Sequence, residues 1–402
     1  MAKKVLKSFY MCLLVFSLLN FNKILSIEPV KLGIDNINSY LQIFEGKKVG
    51  LLTNATGVDS FLKSTIDVLR EKVNLVAIFA PEHGIRSTIN EYFVNDELDE
   101  KIGLPIFSLY GKTMKPTSEM LKNVDVLVYD IQDVGARFYT YISTMKKCME
   151  ACSENNVVFV VLDRPNILSG KVQGNILEEE FISFVGISKI TTRYGLTPGE
   201  IAKYFNTEDN INCNLFVIEM SNYKKDMYYD ETGLNFWIKP SPAIMSLDTA
   251  IAYVGTCIFE WTATNISDGR GTGKPFEYIG APWINSKLFA ERLNTIDLAG
   301  VNFEPVSFIP CRAKFKDELC HGVFIKVLDR KIFDPVKTAV ALLYTIRELY
   351  KEELKIDYKW LNKLVGGDFL QEGKYTLKEI FEKLDNDSLQ FEKLIQKYRL
   401  YL

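Results

Sequence analysis

The chain of 402 residues is 47% hydrophobic and 25% charged, with a formal net charge of −3. Such values belong to a water-exposed globular protein with more than one core, and they exclude wholesale disorder and a multi-span membrane protein. The acidic balance argues against nucleic acid as a partner, because binding phosphates requires concentrated positive charge.

Residues 1–26 stand apart from the rest. Lys3, Lys4 and Lys7 precede an apolar stretch over 9–21, and Ser26 offers a small residue for cleavage, which is the layout of a secretory signal peptide. The stretch is short for a permanent membrane anchor, the competing reading. Cys12 is preceded by Phe9, Tyr10 and Met11, not the small residues of a lipidation site. Cleavage removes Lys3, Lys4, Lys7 and Lys23 with no acid, taking the net charge from −3 to −7. The expectation is a protein exported to the periplasm or envelope, with no stable membrane insertion. The remaining cysteines (Cys148, Cys152, Cys213, Cys257, Cys311 and Cys320) lack paired metal spacing and read mostly as reduced, with a Cys311–Cys320 bridge as the one pairing to consider.

From residue 49 the chain alternates strands and helices. Apolar runs at 49–53, 75–80, 124–129, 157–162 and 215–219 predict buried strands, with an extra strand at 106–109. Helices are predicted at 64–71, 117–121 and 138–155, and another begins at Thr197-Pro198-Gly199-Glu200. This rhythm implies parallel βαβ units with right-handed crossovers, so residues 27–246 read as an α/β, Rossmann-like, doubly wound, mostly parallel sheet. Pro240 and Pro242 interrupt the pattern. Residues 247–402 read as a smaller α+β domain, with helices at 247–254 and 334–350, a strand at 321–328 and a charged helical tail whose Lys/Glu-rich run is a solvated helix face.

Three carboxylates, Glu82, Asp130 and Asp163, each follow one of the predicted strands. Parallel strands deliver their carboxyl ends to one edge, where open α/β sheets bind ligands. Around them lie Asn54, His83, Arg86, Asp133, Arg137, Tyr139, Tyr141 and Arg164. Pro81-Glu82-His83-Gly84-Ile85-Arg86 would expose an acid, an imidazole and a guanidinium at a tight turn. A carboxyl held there against apolar walls could be tuned into a general acid; the plainer alternative is a Glu82–Arg86 pair. The segment 129–141 gathers acids, an amide, an arginine and tyrosines at a strand-to-helix junction, although Asp133 could equally be a helix cap. Asp163 and Arg164 could simply orient their loop. In the second domain, Asn265 and the loop from Ser267 to Lys274 have the wrong spacing for a P-loop and read as a substrate loop offering Arg270. Two histidines in the whole chain make a His-rich zinc site improbable, His321 reads as structural, and no G-x-S-x-G elbow occurs. No metal or organic cofactor is demanded.

From about residue 34 onward the sequence resembles the exo-acting β-N-acetylmuramidases of bacterial cell-wall recycling. The resemblance is carried by Gly50-Leu51-Leu52-Thr53-Asn54 with Gly57, residues 81–86, Gly103-Leu104-Pro105, Ser108-Leu109-Tyr110-Gly111, residues 130–141, Leu162-Asp163-Arg164-Pro165-Asn166, Pro240-Ser241-Pro242, Gly269-Arg270-Gly271-Thr272, Pro275-Phe276-Glu277 and Gly280-Ala281-Pro282-Trp283. The chain departs from the pattern at Ser87 to Tyr92 and at Trp261-Thr262-Ala263. The resemblance implies a Rossmann-like catalytic domain, a smaller carboxyl-terminal domain, and release of N-acetylmuramic acid from non-reducing ends of peptidoglycan fragments. It makes Glu82 the leading catalytic acid. Opposite it, Asp130, Asp133, Tyr139 or Tyr141 would stabilise or attack the oxocarbenium-like centre, and Arg86, Arg137 or Arg270 would grip the lactyl carboxylate. A cell-wall fragment binder that has lost catalysis is the alternative; a wall amidase or esterase lacks a visible nucleophile elbow or zinc set.

Overall fold

The structure, a computed structural model, describes residues 28–86, 97–99, 103–260 and 262–402. The apolar runs form β1 (Lys48–Thr53), α1 (Thr65–Lys72), β2 (Asn74–Ala80), β3 (Glu97–Asp99), β4 (Leu104–Ser108), α2 (Ser118–Leu121), β5 (Val126–Asp130), α3 (Tyr141–Asn155) and β6 (Val158–Leu162). A two-stranded ribbon follows, β7 (Gln173–Ile176) with β8 (Thr191–Arg193), then α4 (Pro198–Glu208) and β9 (Leu215–Ile218). The main sheet runs in the order β3-β4-β2-β1-β5-β6-β9. Among the described residues every neighbouring pair in it is parallel except β3 with β4. Strand order reverses beside β1, so the crevice at the carboxyl ends of β1, β2 and β5 is where such a sheet accepts a ligand.

Helix starts follow local chemistry. The Ser64 hydroxyl accepts from the Ile66 amide to cap α1, and Thr197 with Glu200 forms a reciprocal capping box on α4 with Pro198 in the first turn. Helix α3 begins at Tyr141, three residues later than the periodicity at 138 suggests. The reason is tertiary: the Arg137 amide donates to the Thr192 carbonyl (2.8 Å), tying residues 136–139 to the ribbon instead of the helix ladder.

The second half contains α5 (Leu247–Thr256), β10 (Tyr278–Ala281), α6 (Ser286–Asn294), β11 (Val301–Phe308), β12 (Cys320–Val327), α7 (Pro335–Leu349), α8 (Tyr358–Val365) and α9 (Leu377–Ile395). Its three strands form an antiparallel sheet in the order β10-β12-β11, with α5 packed on α7. The ribbon, β10, β11 and α6 were not legible in the residue pattern. His321 pairs across the sheet with Ser307, its Nδ1 lying 2.9 Å from the hydroxyl, a structural role as expected. Cys311 and Cys320 are unbonded, the first exposed and the second buried, so the candidate bridge is corrected to two free thiols.

The Lys/Glu-rich end presents a solvated helix face, with Lys378, Glu379, Glu382 and Lys393 exposed, but its other face is packed. Helix α9 buries Ile380, Leu384, Phe391 and Ile395, and its Asp387 accepts from the Ile176 amide (3.1 Å). The chain then returns to the first half, where the Leu400 amide reaches Glu200 (2.8 Å) and the Tyr401 hydroxyl reaches Asp163 (2.7 Å). Residues 1–27, which include the signal-peptide reading, and the divergent segment 87–92 lie outside the described residues, as does Trp261. Among the described residues no helix is long and apolar enough to cross a membrane.

Arg137 is the bolt between the two halves, not a ligand contact. Fully buried, its guanidinium donates to the carbonyls of Asn175 (2.7 Å) and Ile190 (2.9 Å) in the first half and of Val365 (2.5 Å) and Leu364 (3.4 Å) at the end of α8. A cation suits the carbonyl end of a helix. Gly366 leaves it room, since a Cβ there would stand 2.8 Å from the Arg137 Nη2. Replacing Arg137 with Met would take a charged donor from four carbonyls, of which Ile190 keeps the Leu177 amide and Val365 the Asn175 side chain, and should cost roughly 3 kcal/mol of stability, read by urea denaturation; an unchanged midpoint with a raised KM would instead return Arg137 to the substrate.

Candidate active site

At the end of β2, Pro81 stops the strand, and His83 and Gly84 adopt successive left-handed conformations with φ of 69° and 68°. A non-glycine residue there is costly and persists where surroundings demand it. The turn closes through the Gly84 amide to the Pro81 carbonyl (3.0 Å). It presents Glu82, whose side chain is half-buried and accepts a hydrogen bond from the Thr140 hydroxyl (2.6 Å) at the mouth of α3. His83 is half-buried beside it and Arg86 is exposed.

The other expected residues separate into layers. Asp130 is 0% exposed and bound in two places by Arg164, Nε to Oδ1 at 2.5 Å and Nη2 to Oδ2 at 2.9 Å, with the Thr65 hydroxyl on the same carboxylate. Arg164 also donates to the Val58 carbonyl (2.6 Å). The expectation that Asp130 works on a sugar is therefore corrected: its oxygens are spent holding the loops after β1 and β6 against the end of β5. Asp163 is likewise buried, accepting from the Gly199 amide (2.7 Å) and the Thr197 hydroxyl (2.8 Å) as well as Tyr401. It fastens α4 and the chain end. Asp133 accepts from the Gly135 amide (2.6 Å) and from the Tyr194 hydroxyl, while its other oxygen has no partner; burial pushes its carboxyl up to about 7. Asn54 turns its carbonyl back onto the Thr56 amide (2.9 Å) and hydroxyl (2.6 Å), and its buried side-chain amino group finds no acceptor.

The two tyrosines form a wall. Tyr139 and Tyr141 meet edge to face at 4.9 Å, and Tyr139 meets Tyr253 of α5 at 5.8 Å. Tyr253 in turn contacts Phe276 at 4.8 Å and Phe138 at 5.2 Å, so a continuous aromatic seam joins the halves. Burial pushes the Tyr139 phenol well above the usual tyrosine range, and the Tyr141 hydroxyl donates to the Pro240 carbonyl (2.5 Å). Tyr139 is therefore not poised as an ionised nucleophile. Asn265, expected to touch substrate, instead pairs its side chain with the main chain of Glu353 and Lys355, both at 2.8 Å.

Arg270 does reach the cleft, its side chain 21% exposed, and lies between Asp268 (2.9 Å) and Glu260 (3.8 Å). Glu260, which the residue pattern did not single out, follows α5 and the short turn Cys257–Phe259. Its side chain is 34% exposed and lies within electrostatic reach of Glu82. Burial raises its carboxyl above the ordinary range, with Asp268 and Glu82 adding to the rise and Arg270 and Lys314 opposing it. Lys314 fixes this loop by donating to the carbonyls of Phe259 (2.6 Å), Ile266 (2.8 Å) and Glu260 (3.2 Å); burial brings its amine down to about 8. The only sequence signal for Glu260 is a lone acid after an apolar helix, too common to single out.

The cleft thus sets two carboxylates from different halves of the chain above an aromatic floor, with cations behind one of them. Such an arrangement can protonate and cleave an acetal. A polar hollow at the amino-terminal ends of β1 and β2, lined by Lys47, Arg70 and Asn74, lies at the opposite end of the sheet from this chemistry.

Two family models cover nearly all of the chain: Exo-beta-N-acetylmuramidase NamZ, N-terminal, over residues 49–248, and Exo-beta-N-acetylmuramidase NamZ, C-terminal, over 251–401. The chain belongs to the exo-β-N-acetylmuramidase NamZ family. It is 44% identical over 381 residues to the peptidoglycan β-N-acetylmuramidase NamZ of Bacillus subtilis, spanning 92% of this chain and 91% of that one. Two crystal structures of DUF1343 family proteins from Bacteroides fragilis share the fold. One has a TM-score of 0.86 and 39% identity over 93% of this chain and 99% of its own. The second has a TM-score of 0.73 and 30% identity over 92% and 99%. The NamZ-family match therefore spans both halves that build the cleft.

Because Asp130 serves the scaffold, Asp130→Asn should lower stability by about 3–5 kcal/mol, the cost of stranding a buried ion-pair partner, while the molecules that remain folded keep kcat within a few-fold. A stable Asp130→Asn protein with abolished turnover would reinstate it as a catalyst.

Proposed function

We infer that this chain is an exo-acting glycoside hydrolase that releases N-acetylmuramic acid from the non-reducing ends of peptidoglycan fragments. The observation that carries this reading is the 44% identity to the B. subtilis peptidoglycan β-N-acetylmuramidase across 92% of the chain, which includes both walls of the cleft. The geometry supplies a mechanism. Glu82 stands at an open crevice on a constrained turn, and glycoside hydrolysis requires a carboxylic acid beside the scissile oxygen. It protonates the leaving oxygen as the bond from the anomeric carbon breaks. Thr140 holds one Glu82 oxygen, fixing which of the two faces the sugar.

Muramic acid differs from glucosamine by a lactyl carboxylate, which a guanidinium matches through two hydrogen bonds. Of the expected arginines, Arg137 and Arg164 are buried, each 2% exposed or less. Arg86 is exposed on the same turn as Glu82, and that placement is why we assign it to this recognition. We also propose that the protein acts outside the cytoplasm, in the periplasm or envelope; Lys3, Lys4 and Lys7 before the apolar stretch support export.

Glu82→Gln should reduce release of N-acetylmuramic acid from a defined muramyl disaccharide by at least about a hundredfold, measured by product chromatography; near-full turnover removes Glu82 from the mechanism. Arg86→Ala should narrow the preference for muramic acid over the N-acetylglucosamine analogue by roughly tenfold, the loss of about 1.4 kcal/mol of discrimination. Unchanged selectivity in kcat/KM would assign the lactyl group elsewhere.

A further inference from the structure

We propose that Glu260, contributed by the carboxyl-terminal half, is the second catalytic carboxylate of this site and serves the anomeric carbon while Glu82 serves the leaving oxygen. The inference rests on the muramidase reading above and supplies the partner which that reading lacks.

Elimination and placement both point to it. A glycosidase of the common kind needs two carboxylates flanking the bond. On the first half, Asp130 and Asp163 are sealed beneath the surface with their oxygens occupied, and Asp133, though one of its oxygens is unpaired, is only 2% exposed and held by Tyr194 and the Gly135 amide. Tyr139 and Tyr141 are buried, and the Tyr141 hydroxyl is already spent on a main-chain carbonyl. Glu260 differs from all of these. Its side chain keeps a third of its surface, and among the described residues its nearest cation stands off at 3.8 Å and its only hydrogen-bond donor is the weak Cys257 thiol at 3.9 Å. A carboxylate built merely to hold a loop would be held more tightly, as Asp130 is by Arg164.

The surroundings carry a second, separate mark of a ligand. Asp268 is 1% exposed, and its Oδ2 pairs with the Arg270 Nη2 at 2.9 Å. The Nε of Arg270 is cut off from solvent without a hydrogen-bond acceptor. Buried polar atoms are normally satisfied, and an unmet guanidinium nitrogen beside Glu260 marks where a polar ligand completes the set. Lys314 holds the Phe259, Glu260 and Ile266 carbonyls. A lightly held, part-exposed carboxylate on an anchored loop, beside an unmet guanidinium nitrogen, is the arrangement of a working group.

The chemistry balances without a co-reactant beyond water. Glu82 gives its proton to the glycosidic oxygen, which keeps the electron pair of the breaking carbon–oxygen bond and leaves as the alcohol. Glu260 takes a proton from the incoming water as the water oxygen bonds to the anomeric carbon. Burial raises the Glu260 carboxyl above the ordinary range, the direction that suits a general base, and Arg270 opposes the rise. Because the two groups ride on different halves, the catalytic pair exists only when the halves are docked along the aromatic seam.

The test uses the full chain and a muramyl disaccharide. Glu260→Gln should lower kcat by roughly a hundredfold to ten-thousandfold with KM moved less than threefold and with an unchanged melting midpoint. In Glu260→Ala, sodium azide should restore turnover as a glycosyl azide, because a small anion can occupy the vacated space and attack the anomeric carbon; the same addition should not rescue Glu82→Ala. Retention of more than a tenth of the wild-type kcat in Glu260→Gln overturns the proposal, as does a loss confined to KM or a loss in Glu260→Ala that azide leaves untouched. If the wild-type protein itself releases no muramic acid, the muramidase reading fails first, and that result is separate from a wild-type enzyme indifferent to Glu260.

Discussion

The arrangement depends on one buried cation. Arg137 sits with no solvent contact and pairs with four main-chain carbonyls drawn from both halves of the chain. Burial costs it proton affinity, bringing the guanidinium down to about 9, with Asp387 of α9 the charge that opposes the loss. A charge in that position tolerates no slack, because moving one half relative to the other strands it away from its acceptors. The aromatic seam from Phe138 through Tyr253 to Phe276 then fills the joint by shape. Together these fix the angle at which the Glu82 turn and the Glu260 loop face one another.

A second device reinforces the first. The carboxyl terminus returns to the first half and places Tyr401 on Asp163 and the Leu400 amide on Glu200, the same two acids that cap the start of α4. The two halves are thus interleaved, with α9 and the chain end belonging spatially to the first. For an enzyme whose reacting groups lie on opposite walls, this limits the opening motion to what the cleft mouth allows and keeps the carboxylates registered near a productive geometry.

Much of the architecture was legible in the residues because buried parallel strands write themselves as continuous apolar runs, and their helices begin at Ser64, Thr117 and Thr197 caps that have a local cause. The edge carrying Glu82 follows directly from that alternation. What could not be read was which acids at that edge face outward. Asp130 and Glu82 both lie at the carboxyl ends of their strands, yet one meets Arg164 and Thr65 and the other, half-buried, accepts from Thr140. The difference is set by residues far away in sequence. Arg137 illustrates the same point: its partners lie 38 to 228 positions away and are backbone atoms, which leave no trace in side-chain identity. Glu260 was missed because its significance comes from facing Glu82 across the joint, and β10 and β11 because their short runs include Gly280 and Pro305.

The central claim is that this joint forms a hydrolytic cleft for a terminal muramyl residue. Mass spectrometry of a defined disaccharide, N-acetylmuramic acid linked to N-acetylglucosamine, after incubation with the purified protein tests it most directly. The account predicts stoichiometric appearance of the two free sugars. Persistence of intact disaccharide after prolonged incubation with folded protein would contradict it.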